Sequence, residues 1–405
     1  MRIIVTGLIA QHYRLGGVTW DYLQYAVGLK QLGHDVYYFE DSGEWPYNTD
    51  GGETGKDWVA RDCNENITYL KNVLSRYDLS DRWAYHFPLK SKWYGLSDVK
   101  RKSVLETADL LINVSGTLEK PENYSSVQRM AYIDSDPGFT QVKMQLKQKD
   151  FIKRVAAHHV HFSFGECLGD SFKNLGYDWK PTRTPIVLSD WMSSEHYRNV
   201  YTTVMSWTSY KPLVYEGKFY NQKDIEFMKF LEVKRKLGDV SLEVAISKLQ
   251  HKNWQTSVNG FPNISEINRF QHPADLLSFY GWKIADTDDT CGDLDSYRDY
   301  IIRSKGEWSV AKGGYVVSNS GWFSCRSACY LAAGRPVIVQ STGFDKVLPV
   351  GEGILQFSTT EEAIDAIGDV EARYDLHAKR AQEIAGEYFD ASKVLKHLIE
   401  RALNF

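Results

Sequence analysis

The chain has 405 residues, 43% of them apolar and 25% charged; this excludes a disordered polymer and suits two α/β domains better than one ordinary core. Lys and Arg number 48 against 52 Asp and Glu, and the net charge of −4 excludes a uniformly basic nucleic-acid coat while leaving room for a local basic patch. No run of 18 apolar residues marks a membrane span, and with a strand read at Met1 to Thr6 no signal peptide is expected. The five cysteines, Cys63, Cys167, Cys291, Cys325 and Cys329, contain no C-x-x-C pair, so a reduced, cytoplasmic setting without a zinc site is expected.

In chain order, residues 2–6 read as a buried parallel strand. Gly16-Gly17 opens a helix carrying Tyr22, Leu23, Ala26, Val27 and Leu29 at helical spacing, Gly33 stops it, and residues 34–39 form the next strand. This is a βαβ unit, the first step of a doubly wound sheet. Further strands are expected at 108–114, ending at Ser115-Gly116; at 129–133, ending at Asp134-Ser135-Asp136-Pro137-Gly138; and at 159–164, ending at Gly165-Glu166. Such carboxyl ends are where open parallel sheets bind ligands. Residues 181–194 read as a connection. A second α/β series follows, with strands at 200–205 and 242–246, one helix over 221–237 and another over 295–303. The stretch from Ser318 to Gln340 combines a polar glycine loop, a helix of small residues ended by Gly334, and the buried strand Pro336-Val337-Ile338-Val339. The tail, 359–403, reads as amphipathic helix throughout.

The unit Ala332-Ala333-Gly334-Arg335-Pro336-Val337, with the glycine loop Ser341-Thr342-Gly343-Phe344 after it, resembles the donor half of GT-B glycosyltransferases. Gly351-Glu352-Gly353 and the closing helices from Thr359 resemble that family's last elements. Gly16-Gly17 with Leu32-Gly33-His34-Asp35-Val36 is similar to the first βαβ of its acceptor half. The resemblance implies two Rossmann-like, doubly wound parallel-sheet domains facing a cleft. Residues 1–190 would bind acceptor and 191–385 the nucleotide sugar, with the helix over 386–405 packing back on the first domain. One departure matters. Where many retaining members carry a pair of glutamates, this chain has Gly321 and Cys329, and Glu307 or Glu352 would have to replace the ribose contact.

A nucleotide-sugar donor brings a diphosphate, which helix N-termini and arginine forks bind. The donor set expected here is Gly16, Gly17, Glu307, Lys312, Ser324, Arg326, Ser327, Gly343 and Phe344. An inverting transferase also needs a general base. Asp134 and Asp136 are the leading candidates, with Asp41 behind them, although the same residues suit a turn in which Asp136 only caps the loop before Pro137. Lys92, Trp93, Lys100 and Arg101 form a basic, aromatic stretch, either a solvated loop or a surface for a polyanionic acceptor. His158, His159 and His161 read as a packed group rather than a metal site, and Asp286 to Thr290 as a solvated turn rather than a calcium loop.

The expected function is transfer of a sugar from a nucleotide sugar, a co-substrate, with no separate cofactor or metal, to an acceptor hydroxyl. That acceptor is a small molecule or saccharide or, as a special case, a hydroxymethylated pyrimidine in DNA. A nucleotide-sugar epimerase and a non-catalytic binder of the same fold are the alternatives.

Overall fold

The computed structural model of the chain describes residues 1–47, 61–172, 176–192, 196–246 and 269–403. The first sheet contains β1 (Arg2–Thr6), β2 (Asp35–Glu40), β3 (Trp83–Phe87), β4 (Lys92–Gly95), β5 (Leu110–Val114), β6 (Met130–Asp134), β7 (Val160–Ser163) and β8 (Trp179–Pro181). Their order is β4-β3-β2-β1-β5-β6-β7-β8, parallel except for β3 with β4. The second domain contributes β9 (Tyr201–Met205), the hairpin β10 (Leu213–Tyr215) and β11 (Lys218–Tyr220), β12 (Leu242–Ile246), β13 (Lys283–Ala285), β14 (Gly306–Ser309), β15 (Val337–Gln340) and β16 (Ile354–Phe357). Its parallel sheet runs β13-β12-β9-β14-β15-β16. The strand order reverses between β1 and β5, and between β9 and β14, so each sheet has a crevice at its carboxyl edge there.

Burial on both faces explains the near-continuous apolar strands. In β1, Ile3 and Val5 enter a core shared with the helix Gly16–Gln31, while Ile4 packs on the opposite face with Val104 of the helix Asp98–Thr107. In β15, Val337 and Val339 join that same first core, and Ile338 joins a separate core under the second sheet. One apolar core therefore runs through both halves of the chain.

The seam between the halves is closely packed. Trp20 donates its indole N–H to the Leu294 carbonyl at 2.9 Å and lies 4.9 Å, ring to ring, from Trp191. Gln24 Oε1 accepts from Val187 N at 3.1 Å and from the Trp191 indole at 3.0 Å. The backbone of Ile186 bridges to Asp390, and the helix Ala391–Leu403 lies on Gly28, whose added Cβ would meet Leu395 at 2.6 Å and Ala391 at 2.9 Å.

Four local expectations change. The basic stretch is not a loop: it forms β4 and the helix Asp98–Thr107, which Ser97 caps through Lys100 N at 3.3 Å. Residues 221–237 form two short helices, Lys223–Met228 and Val233–Lys236, because Phe227, Met228, Phe230, Leu231 and Val233 are all buried and no single helical face presents that spacing. Asp286 caps a short helix, Thr287–Cys291, through Asp288 N at 3.0 Å. The tail breaks into Thr360–Ala372, Tyr374–Ile384 and Ala391–Leu403, with a π-turn at Ala385–Phe389. The far end of the 181–194 connection, from 193, lies outside the described residues.

Candidate donor and acceptor cleft

The loop after the helix Gly313–Ser318 turns through Asn319 and Gly321, both at positive φ, and delivers Ser324 to the start of the helix Cys325–Ala332. No side chain caps that start. Ser324, Arg326, Ser327, Ser309, Gln340 and Thr342 line a narrow crevice at this helix start, toward which its backbone N–H groups are directed. Phe344 lines it too, with its ring edge-on to Phe323 at 5.3 Å. Gly343 adopts φ +86°, and a Cβ there would meet Asn319 Oδ1 at 2.5 Å.

Arg326 is held rather than free. Its Nε donates to Glu307 at 2.7 Å, Nη1 to the Val204 carbonyl at 2.9 Å and Nη2 to Ser309 Oγ at 3.1 Å. Glu307 is fully buried, and its other carboxylate oxygen has no hydrogen-bond partner among the described residues; the same holds for the buried Ser327 hydroxyl. Lys223, which sequence reasoning missed, sits near enough to Arg326 and Lys312 that burial and then the Arg326 charge push its ammonium well below the ordinary lysine range. Asp21, also missed, lies near Cys325 and Arg326, and burial lifts its carboxyl to about 7. Neither belongs to a recognisable motif: Lys223 opens a short helix and Asp21 sits in the second turn of Gly16–Gln31.

The structure places Gly16 and Gly17 at the seam. A Cβ on Gly16 would lie 2.0 Å from the Asp293 carbonyl, and one on Gly17 3.0 Å from the Tyr297 ring. Glu352 precedes β16, at the amino end of that strand, 3.9 Å from Arg373 and away from the crevice. Gly321 leaves no room for a side chain: with φ +78°, its Cβ would meet Cys167 Sγ at 2.8 Å. Cys329 is buried, with Gln24 nearby.

The two aspartates after β6 differ sharply. Asp134 is buried and accepts from Thr140 at 2.7 Å, Gln141 at 3.0 Å, Ser163 at 2.9 Å and Asp136 N at 3.1 Å. Burial nevertheless raises its pKa above the ordinary carboxylate value. Asp136 faces the second domain, where Lys312 donates to it at 3.1 Å and Tyr210 and Tyr315 donate their hydroxyls. Burial would lift this carboxyl, but the Lys312 charge and the three hydrogen bonds hold it below the usual range. Asp41 accepts from Tyr124 at 2.9 Å and pairs with His86 Nδ1 at 2.8 Å, on the outer face of the first sheet.

The basic stretch lies at the β4 edge. Arg101 stacks 4.3 Å over the Trp93 ring and donates to Asp98 at 2.7 Å, Lys100 lies 5.9 Å from the Tyr37 ring, and Lys92 is exposed with Nζ 4.8 Å over Tyr94. The three histidines bond separately: His158 Nε2 with Asn113 at 3.0 Å, His159 Nδ1 with Met130 N at 3.0 Å and His161 Nε2 with the Val155 carbonyl at 2.9 Å. Among the described residues no helix is long and apolar enough to cross a membrane.

Two facing Rossmann-like domains with a glycine-loop crevice define the GT-B fold, and comparison with solved structures agrees. An α-glucosyltransferase in complex with UDP-glucose and DNA containing an abasic site matches with TM-score 0.59 at 13% identity, covering 100% of this chain and 99% of that one. The α-glucosyltransferase in complex with UDP and a 13-mer DNA containing a central A:G mismatch matches with TM-score 0.58 at 14% identity over 100% of both chains. Anabaena HepE in complex with UDP-glucose matches with TM-score 0.56 at 11% identity over 99% of both. No protein-family model matches the sequence, and a search of curated proteins finds no match.

Proposed function

We propose that this protein transfers a hexose from a nucleoside-diphosphate sugar to an acceptor hydroxyl. The observation that carries the reading is the uncapped start of Cys325–Ala332, with Arg326 fixed beside it and Lys223 depressed by burial and the Arg326 charge. An anion placed there accepts from free backbone N–H groups and relieves the repulsion between these cations, which is what a departing diphosphate requires. UDP and UDP-glucose in the similar structures make UDP-glucose the first donor to try. Gly321 and Cys329 remove the glutamate pair, so the sugar is held by other groups.

The test is calorimetry with UDP and UDP-glucose on the wild-type protein and Arg326→Ala, followed by assay of glucose transfer. Wild-type binding is expected, and the variant should bind about ten- to a hundred-fold more weakly, since a charged hydrogen bond contributes roughly 1.5–3 kcal/mol. Absence of binding by any nucleoside diphosphate overturns the reading.

The acceptor is read first as a saccharide or small polyol, entering from the first domain. DNA is the second reading, supported by the similar α-glucosyltransferase–DNA structures and by the exposed Lys92, Lys100 and Lys102. A transfer rate that falls steeply with salt favours DNA.

A further inference from the structure

Asp21 lies near Cys325 and Arg326 at the start of the helix Cys325–Ala332, Asp136 faces Lys312, and three hydroxyls come together by the carboxyl edge of the first sheet. Ser135 donates to Ser115 Oγ at 2.7 Å, and the Tyr22 hydroxyl lies close to that of Ser115. Ser115 and Ser135 are half-buried, while Tyr22 is buried in the helix Gly16–Gln31. Gly7, at the end of β1, makes room for the Tyr22 ring: a Cβ there would lie 2.6 Å from Tyr22 Cγ.

Ser115 is the unexpected residue. Its φ is +58° and that of Gly116 is +61°, the succession of left-handed residues that type I′ turns require and for which Asn-Gly or Asp-Gly is the ordinary choice. The turn is imposed by the buried Asn113, whose Oδ1 accepts from Thr6 at 2.9 Å and from Leu118 N and Thr117 at 3.3 Å. A serine held there is strained for its backbone, and such strain persists where the side chain has a task. Each hydroxyl offers one donor and two acceptor sites, so Ser135, which donates to Ser115, keeps acceptor capacity, and the neighbouring Ser115 and Tyr22 hydroxyls keep donors. That is the complement of neighbouring hydroxyls on a pyranose ring.

We infer that Tyr22, Ser115 and Ser135 hold the hydroxyls of the donor's hexose, in place of the carboxylates that Gly321 and Cys329 cannot supply. The inference rests on the donor reading above. Asp21, next to Tyr22 in the chain, lies near Cys325 and Arg326, which puts the array in the neighbourhood of the helix start where the diphosphate is proposed to sit.

Ser115→Gly tests it, because glycine accepts the turn and removes only the hydroxyl. Calorimetry compares UDP with UDP-glucose on the wild type and the variant, with the melting temperature measured on both. The expected result is an unchanged or higher melting temperature, unchanged UDP affinity and UDP-glucose affinity weakened about ten-fold, with Ser135→Ala doing the same. Equal UDP-glucose affinity in wild type and both variants overturns the subsite, and so does an equal loss for UDP and UDP-glucose, which marks a structural role. A wild-type protein that binds neither nucleotide overturns the donor reading itself and the subsite with it.

Discussion

Asp134 and Asp136 stand two positions apart and look alike in sequence, yet their surroundings differ. Four donors from its own domain fix Asp134, and three from the other domain hold Asp136. The pairing of Asp136 with Lys312 was not legible, since 176 positions separate them. The position of Arg326, Ser324 and Ser327 at a helix start was legible because a loop-helix pattern marks it, whereas the perturbed groups Asp21 and Lys223 stand out only through neighbours that the fold supplies. Asp21 carries a pH prediction. Its folded-state pKa of about 7 against an ordinary 3.8 means that the native protein keeps a proton the unfolded chain has lost. Stability conferred by the protonated form is fully present below about 4 and falls as pH rises toward 7. Asp21→Asn removes that loss. Its gain over the wild type should grow from near zero at pH 4 to roughly 2–4 kcal/mol at pH 8, at about 1.36 kcal/mol per unit. Urea midpoints at several pH values check this, and a gain independent of pH contradicts it.

At the scale of elements, the parallel strands and the helix Cys325–Ala332 were readable because apolar runs and glycine stops are local signals. The divisions within 221–237 and within the tail were not, because burial on more than one side of a segment erases helical periodicity. Gly321 shows how an element can be shaped by a distant one. The sequence marks it only as a departure from a family pattern, while the structure shows Cys167 pressed against it and its backbone N–H donating to the Thr342 carbonyl at 2.9 Å. Gly321→Ala adds a Cβ in a left-handed conformation, which costs roughly 1–2 kcal/mol, and forces that Cβ against a buried sulfur. A total loss of about 2–4 kcal/mol is expected by chemical denaturation. A change below about 0.5 kcal/mol would show that the loop and the Cys167 segment yield freely.

At the scale of the whole molecule, two sheets with separate strand orders share one core. Trp20, Trp191 and Tyr297 meet across the seam, with Trp191 and Tyr297 edge-on at 6.4 Å, and Ile3 and Val337 of opposite sheets belong to the same cluster. The sequence divides into two α/β series, but nothing local reveals that their cores merge, because each apolar residue fits a single-domain reading equally well. A shared core makes the halves energetically inseparable, so unfolding should be one cooperative transition, with tryptophan fluorescence and far-UV circular dichroism coinciding. Trp20→Ala opens a cavity at the seam and leaves the Leu294 carbonyl without its indole donor. It should lower stability by about 3–5 kcal/mol and move the single transition as a whole. Two separate wild-type transitions, only one of them shifted by Trp20→Ala, would mean instead that each sheet keeps a core sufficient for itself and that the seam is a contact between independent folding units.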